Sequence, residues 1–246
     1  HEVLRTTFRE QDGRAVPLVT PPEAAGALAA IAMADLRGLP APERDAELRR
    51  LAAAEAQAPF DLAAGPLLRL RLLRLADDEH VALLTMHHVV SDGWSLGVFI
   101  RELGALYAAF VAGQASPLPP LALQYADVAA WQKAALDARG ADGASRAEAQ
   151  LAYWRAALGE ELPALELPTD RPRPQMQSFR GGTRWFQLPR ALMDGVAELC
   201  RREEVTPFMA LLAAFEAVLY RYTGQPAFGV GTPIAGRTRA ELEPLI

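Results

Sequence analysis

The fold of this chain is organised around one stretch, Met86-His87-His88-Val89-Val90-Ser91-Asp92-Gly93-Trp94-Ser95. A largely apolar run, residues 81–86, precedes it, and apolar residues at helical spacing follow it: Leu96, Phe99, Ile100, Leu103, Leu106 and Phe110. This order predicts a buried strand, a tight turn and an amphipathic helix. Two of the chain's four histidines therefore lie at the end of a strand, and an acid and a glycine lie at the start of a helix.

The polar residues of this stretch are capable of chemistry. Side chains alternate across a strand, so His87 and His88 are expected to point to opposite faces, and only one of them can face a given cleft. A histidine with an ordinary pKa of about 6.5 can be neutral, and therefore basic, near neutral pH. Asp92 is placed to cap the following helix or to accept a hydrogen bond from a cation, and Gly93 permits a close backbone approach.

Purely structural roles explain the same residues on local grounds. A histidine pair beside apolar residues is usually packed in a core, and Asp92 is predicted as a plain helix cap as readily as in any other role. Zinc binding fits poorly, because adjacent histidines on a strand diverge and Cys200 is the only cysteine. No metal site is predicted.

The composition limits the class of protein. The chain has 246 residues, 51% hydrophobic and 22% charged, which predicts a soluble globular protein with a sizeable core. The net charge of −5 argues against nucleic-acid binding, the single cysteine indicates a reducing compartment such as the cytoplasm, and no unbroken apolar run is long enough for a membrane span. Because the chain opens at His1-Glu2-Val3 and stops just after an acidic turn, we expect it to be part of a longer protein.

Strands and helices alternate along the chain. Strands are predicted near residues 6–9, 15–19, 31–36, 67–75, 80–87, 182–188 and 227–232. Further helices are predicted near 42–57, 125–136, 144–158, 190–202 and 207–222. The helix over 42–57 has a weak apolar stripe and is expected to be peripheral, whereas the one over 207–222 is apolar nearly all round and is expected to be buried. Strands 67–75 and 80–87 are expected to pair as a hairpin that delivers the histidine motif.

A proline-rich segment, residues 163–174, divides the chain. Proline bars a helix and favours an extended, stiff connection, so we place a lobe boundary there. An N-terminal lobe with the histidine motif is predicted over 1–162, and the beginning of a C-terminal lobe over 175–246. The elements on both sides indicate an α/β (α+β) protein of two-layer sandwich lobes.

The pattern His-His-x-x-x-Asp-Gly at 87–93 resembles the active-site motif of the condensation domains of nonribosomal peptide synthetases, within the wider chloramphenicol-acetyltransferase-like superfamily. Other segments resemble the same family in the same order: His-Glu-x-Leu-Arg-Thr-x-Phe at 1–8, Phe-Asp-Leu and Gly-Pro-Leu within 60–67, Tyr-x-Asp-x-x-x-Trp-Gln at 125–132, Leu-Pro-x-Asp-Arg-Pro at 167–172 and Gly-Thr-Pro-Ile-Ala-Gly-Arg at 231–237. The resemblance runs along nearly the whole chain and covers a little over half of a complete domain.

The resemblance implies a chloramphenicol-acetyltransferase-like fold, with two lobes in a V and the histidine motif at their junction. It implies amide-bond formation, with His88 as the catalytic residue that either takes a proton from the amine or stabilises the tetrahedral species. His87, Asp92, Gly93 and Arg5 are expected to support the loop, with Arg5 paired to Asp92; without the resemblance, Arg5 is predicted as a surface residue.

The resemblance also implies partners. No cofactor is expected to bind directly; the substrates would be carried on the 4'-phosphopantetheine of donor and acceptor carrier domains, with an adenylation domain in the same polypeptide. The motif interior, Val89-Val90-Ser91 followed by Trp94-Ser95, favours the subtype that joins two L-residues. Two other functions stay open: an acyltransferase of the same superfamily with a soluble amine or alcohol acceptor, and a non-catalytic docking domain.

Overall fold

The computed structural model describes residues 1–25, 31–141, 143–159, 163–179 and 181–246. The chain divides into two compact units, one formed by His1–Ala147 with Pro233–Ile246 and the other by Glu148–Thr232. The return of Pro233–Ile246 to the first unit places this segment with the histidine motif. The predicted lobe boundaries at 163–174 stay a prediction.

The first unit contains most of the regular structure. Its strands are β1 (Thr6–Gln11), β2 (Arg14–Val19), β3 (Ala32–Asp35), β4 (Leu68–Arg74) and β5 (His80–Met86). Its helices are α1 (Pro22–Ala25), α2 (Ala41–Gln57), α3 (Gly93–Val111) and α4 (Tyr125–Asp137), with short 3₁₀ helices at Glu2–Arg5 and Ala240–Leu242. The predicted strands and helices of this unit are therefore confirmed.

The sheet that carries the motif has the order β3-β4-β5. β3 is parallel to β4, and α2 connects them, while β4 and β5 form the predicted antiparallel hairpin with Leu68 opposite Met86. Leu51 of α2 belongs to a core cluster with Leu36, Leu73 and Leu75. α2 is mostly exposed, which fits the expectation that it is peripheral, and its buried residues are Leu51 and Glu55.

Two arginines of β4 compensate the charge of the buried Glu55. Its carboxylate lies 2.6 Å from Nε of Arg69 and 3.6 Å from Nε of Arg71. Both arginines alternate with leucines along β4, so the strand presents two cations and Leu73 to the same helix. A buried carboxylate is tolerated only with such partners.

The second unit contains α5 (Arg146–Leu158, which starts at the boundary), α6 (Arg190–Arg202) and α7 (Pro207–Thr223). Thr206 caps α7 by accepting the N–H of Met209, with Pro207 at the first position as predicted. The strands predicted at 182–188 and 227–232 are not formed, because no described residue supplies the backbone partners that a strand requires.

The expectation that α7 is buried was wrong. Leu219 is its buried residue, and most of its other large apolar side chains, including Phe208, Phe215 and Val218, are half exposed or more. Within the described residues α6 is the element that contacts α7 most, and one amphipathic neighbour cannot cover a helix that is apolar on every side.

One described helix, α3, is long and apolar enough to cross a bilayer by length and composition alone. This is weak support for a span, since core helices meet the same criterion. Arg101 and Glu102 lie in the middle of α3, and Glu102 bonds to His1.

Candidate active site

The histidine pair lies in the turn between β5 and α3. β5 ends at Met86, so His87 and His88 follow the strand rather than continuing it, and strict strand alternation does not apply to them. The backbone of His87 anchors the turn: its N–H donates to the carbonyl of Leu67 (2.9 Å), and its carbonyl accepts the N–H of Val90 (3.0 Å). The two side chains nevertheless have different surroundings, as the sequence predicts.

The imidazole of His87 is half-buried and held by two contacts. Its Nδ1 accepts the backbone N–H of Val89 at 3.0 Å, which leaves the proton of a neutral ring on Nε2. The ring stands perpendicular to the ring of Phe60, with centroids 5.6 Å apart, a favourable edge-to-face arrangement. These two contacts hold the imidazole of His87 in the turn.

His88 has the opposite environment. It is exposed, and it lines a cavity of about 230 Å³ in the first unit. The cavity wall includes Val3, Ser91, Asp92, Tyr125, Arg237 and Ile246. An accessible imidazole in a wall that also contains a carboxylate and a guanidinium can exchange protons with a bound molecule.

Asp92 caps α3 and forms an ion pair with Arg237, although this pair is too long for the hydrogen bond from a cation that the sequence left open. Its Oδ1 accepts the N–H (2.8 Å) and the hydroxyl (2.7 Å) of Ser95 and so caps α3, while its Oδ2 lies 3.6 Å from Nη1 of Arg237. Burial by itself raises the pKa of Asp92, but the two Ser95 hydrogen bonds and the charges of Arg237 and His88 outweigh it. The pKa of Asp92 therefore lies below its ordinary value, and the carboxylate is ionised at neutral pH.

The expected pair between Arg5 and Asp92 is not formed. Arg5 bonds instead to Glu2 (3.0 Å) and to the carbonyl of Thr20, which ties the first 3₁₀ helix to the end of β2. The cation beside Asp92 is Arg237, whose side chain is 8% exposed. The feature of the sequence that points to Arg237 is the Gly-Thr-Pro-Ile-Ala-Gly-Arg segment, which ends on this arginine.

Gly93 is the first residue of α3 and is exposed. A Cβ at this position would meet no described atom within 4 Å. The close backbone approach that the sequence suggested is therefore not seen in the residues that the structure describes.

The segment 233–246, near the other end of the chain, contacts the site at several points. Besides the Arg237–Asp92 pair, the indole N–H of Trp94 donates to the carbonyl of Glu243 (2.8 Å), and the N–H of Ile246 donates to Nδ1 of His1 at 3.4 Å. The other ring nitrogen of His1 lies 2.9 Å from a carboxylate oxygen of Glu102 on α3. None of these partners is evident from local sequence, because each contact joins distant segments.

Comparison with known proteins gives the family. The family model for the condensation domain matches residues 1–246. One component of the linear gramicidin synthase of Brevibacillus parabrevis is 49% identical over 246 residues, which are all of this chain and 5% of that component. Phosphinothricin tripeptide synthetase PhsC of Streptomyces viridochromogenes is 43% identical over 250 residues, with 100% of this chain and 22% of the synthetase covered.

Comparison with solved structures indicates the same family. The X-domain from teicoplanin biosynthesis matches all of this chain and 52% of its own, with a TM-score of 0.78 and 31% identity. The first condensation domain of the calcium-dependent antibiotic synthetase, in complex with a substrate analogue, matches 98% of this chain and 54% of its own, with a TM-score of 0.70 and 25% identity. This chain belongs to the condensation-domain family, and its mixed α/β fold is the chloramphenicol-acetyltransferase-like fold of that family. It spans about half the length of these two solved structures.

Proposed function

We propose that this chain carries the catalytic histidine of a condensation domain in nonribosomal peptide synthesis. The reaction joins a donor acyl or peptidyl thioester to the α-amine of an acceptor aminoacyl thioester. Family membership supports the reaction class, and the observation that carries the assignment is the contrast within the histidine pair: His87 is held by Val89 and Phe60, whereas His88 lines the cavity.

The chemistry requires one proton transfer. The amine nitrogen attacks the thioester carbonyl carbon, the new C–N bond forms and the C–S bond breaks. The proton that the amine loses ends on the leaving sulfur. His88 either accepts this proton as a base or stabilises the charged tetrahedral species, and positioning of the two reactants contributes to the rate in both cases.

The substrates in this proposal arrive on the 4'-phosphopantetheine arms of donor and acceptor carrier domains, and the chain itself binds no cofactor. The proposal also includes an adenylation domain in the same polypeptide and a cytoplasmic location for the protein. The names of the synthetases that this chain resembles support this combination of carrier and adenylation domains. The motif interior, Val89-Val90-Ser91 followed by Trp94-Ser95, supports the subtype that joins two L-residues.

The test is a transfer assay in the full-length protein with loaded donor and acceptor carrier domains. We expect His88→Ala to abolish the dipeptidyl product while the melting temperature stays unchanged. The matched control is His80→Ala, because His80 is also exposed but lies at the opposite end of β5. Near-normal condensation by His88→Ala would reject the catalytic role.

A soluble acceptor is the second candidate. A condensation domain described for chain release from the enacyloxin polyketide synthase matches this chain with a TM-score of 0.64 and 28% identity. Replacing the acceptor carrier with free amines and alcohols separates the two functions: turnover of the free acceptor at the rate of the loaded carrier would favour this alternative.

A docking function is the third candidate. The X-domain from teicoplanin biosynthesis, which is also solved in complex with OxyB, matches this chain with a TM-score of 0.76 and 30% identity in that complex. A transfer assay in which neither loaded carriers nor free acceptors react, together with a stable partner complex, would favour docking.

A further inference from the structure

One family-like segment has no role in the proposed reaction. It is Phe60-Asp61-Leu62 with Gly65-Pro66-Leu67, and we call residues 59–67, which connect α2 to β4, the FDL loop. This loop contacts the histidine turn twice. The carbonyl of Leu67 accepts the N–H of His87 at 2.9 Å, and the ring of Phe60 stands edge-to-face against the imidazole of His87.

Phe60 also contacts Arg69. The guanidinium carbon of Arg69 lies 3.8 Å from the centroid of the Phe60 ring, so the cation rests on the face of the ring. Arg69 is opposite Thr85 in the β4–β5 hairpin, two residues before His87. The order of contact is therefore Arg69, Phe60, His87.

The position of Arg69 is determined by the end of α2. Its Nε lies 2.6 Å from the carboxylate of Glu55, and its Nη2 donates to the carbonyls of Glu55 (3.1 Å) and Ala58 (2.9 Å). Its Nη1 donates to the carbonyl of Pro59 at 3.0 Å. The edge of the guanidinium thus satisfies carbonyls at the C-terminus of α2, which have no helical partners, and its face is left for Phe60.

The rest of the FDL loop is equally well anchored. Asp61 accepts the N–H groups of Ala63 (2.8 Å) and Ala64 (3.0 Å), and these two hydrogen bonds lower the pKa of its carboxyl group. The N–H of Phe8 on β1 donates to the carbonyl of Leu62 at 2.7 Å. The loop is therefore anchored by hydrogen bonds within itself and to β1.

We propose that Phe60 and Arg69 are positioning residues for the reaction. Arg69 fixes the Phe60 ring, the ring fixes the imidazole of His87, and the fixed turn keeps His88 directed to the cavity. The effect on rate rests on the proposed function; the effect on the turn does not.

The first test compares Phe60→Leu with Phe60→Tyr in the full-length protein. Leucine removes the ring, and tyrosine keeps it because Phe60 is only half-buried and a hydroxyl can reach solvent. We expect Phe60→Leu to lower kcat about ten-fold, since small misplacement of a reacting group is costly, with KM for the carrier-bound acceptor unchanged and Phe60→Tyr close to wild type. Phe110→Leu is the matched control, because Phe110 is exposed on α3 and distant from the turn in sequence.

Hydrogen exchange measured by mass spectrometry reports the turn without using activity. We expect Phe60→Leu to raise exchange in peptides that cover 87–90 and to leave α2 and β3 unchanged. A uniform rise in all three regions would mean loss of global stability and would overturn the positioning role. Unchanged exchange at 87–90 with unchanged kcat would overturn it as well.

The second test compares Arg69→Lys with Arg74→Lys. Lysine keeps the charge but cannot bind several carbonyls in one plane and stack on a ring, so we expect Arg69→Lys to raise exchange at 87–90 and lower kcat. Arg74 is at the far end of β4, where it binds Asp77, and its replacement is expected to change neither. Equal effects of the two substitutions would contradict the proposal. If His88→Ala stays active while exchange at 87–90 responds as expected, the proposed function fails and the positioning of the turn stands.

Discussion

Nη1 of Arg237 lies 3.6 Å from Oδ2 of Asp92, while Oδ1 of the same carboxylate caps α3. One side chain thereby connects the start of the motif helix to a segment near the far end of the chain. Arg237 also lies over the ring of Tyr125, with 5.5 Å between its guanidinium carbon and the ring centroid. Its Nη1 donates to the carbonyl of Ala235 at 3.1 Å, whereas among the described residues its Nε is buried without a hydrogen-bond partner. The Ala235 hydrogen bond, the pair with Asp92 and the ring together compensate the burial of this cation.

Arg237→Ala is expected to lower the free energy of unfolding by about 1 to 2 kcal/mol, because it removes the cation from a partly buried carboxylate. Arg239→Ala is the control: Arg239 is exposed and lies over Trp131, 4.9 Å from the ring centroid, not beside Asp92. Urea denaturation of both variants measures the difference. Equal stability of the two variants would show that the Asp92 pair contributes nothing.

The depressed pKa of Asp92 predicts a pH dependence with a definite sign. The folded protein favours the ionised carboxylate, so its contribution is present above the ordinary pKa of about 3.9 and is lost as the pH falls through the lower folded value. We expect the stability difference between wild type and Asp92→Asn to be constant above about pH 5 and to shrink below about pH 4. Asparagine also caps helices, so this difference reports the charge.

Urea titrations across this pH range measure that difference, with Asp78→Asn in the exposed turn between β4 and β5 as the matched control. A stability difference for Asp92→Asn that does not change with pH would contradict the pairing of the ionised carboxylate.

His87 is expected to tolerate asparagine better than alanine. Val89 donates to Nδ1 of His87, and the side-chain carbonyl of asparagine can accept the same bond, whereas alanine cannot. We expect His87→Ala to lower the melting temperature and the condensation rate, and His87→Asn to recover part of both. Differential scanning fluorimetry and the transfer assay test this; identical values for the two variants would show that the Val89 bond is unimportant.

Gly65→Ala is expected to be more destabilising than Gly13→Ala. Both glycines have a left-handed φ, +64° and +71°, so each substitution introduces backbone strain of about 1 kcal/mol. A Cβ at Gly65 also lies 2.9 Å from Cγ2 of Thr7, whereas one at Gly13 meets no described atom within 4 Å. The difference between the two free energies of unfolding therefore contains the Thr7 contact, together with the restriction that Pro66 places on the residue before it.

Thr7→Ser removes that methyl group, so the double variant Thr7→Ser with Gly65→Ala is expected to recover the part of the loss that exceeds Gly13→Ala. No recovery in the double variant would show that the Thr7 contact is not the cause.

Local patterns account for the elements around the site. The hairpin of β4 and β5, the Asp92 cap of α3 and the Thr206-Pro207 start of α7 were all predicted, because periodicity and capping act over a few residues. The strands predicted at 182–188 and 227–232 failed for the complementary reason: a strand requires a distant partner, and β-propensity does not supply one.

The choice between Arg5 and Arg237 shows the same limit. Arg5 is near the start of the chain in a family-like segment, yet it donates hydrogen bonds to Glu2 and Thr20 instead. The partner of Asp92 comes from the segment 233–246. The burial of Glu55 was missed as well, because its compensation by Arg69 and Arg71 exists only once α2 packs on β4.

The sequence by itself determined the family, the order of most elements and the pair of histidines to which we assign the chemistry, since these depend on residue identity and short-range spacing. Only the tertiary structure decided which imidazole is held and which is accessible, and which arginine faces Asp92. Those outcomes depend on packing between segments distant in the chain, and the free energy of such contacts exists only when the segments are brought together.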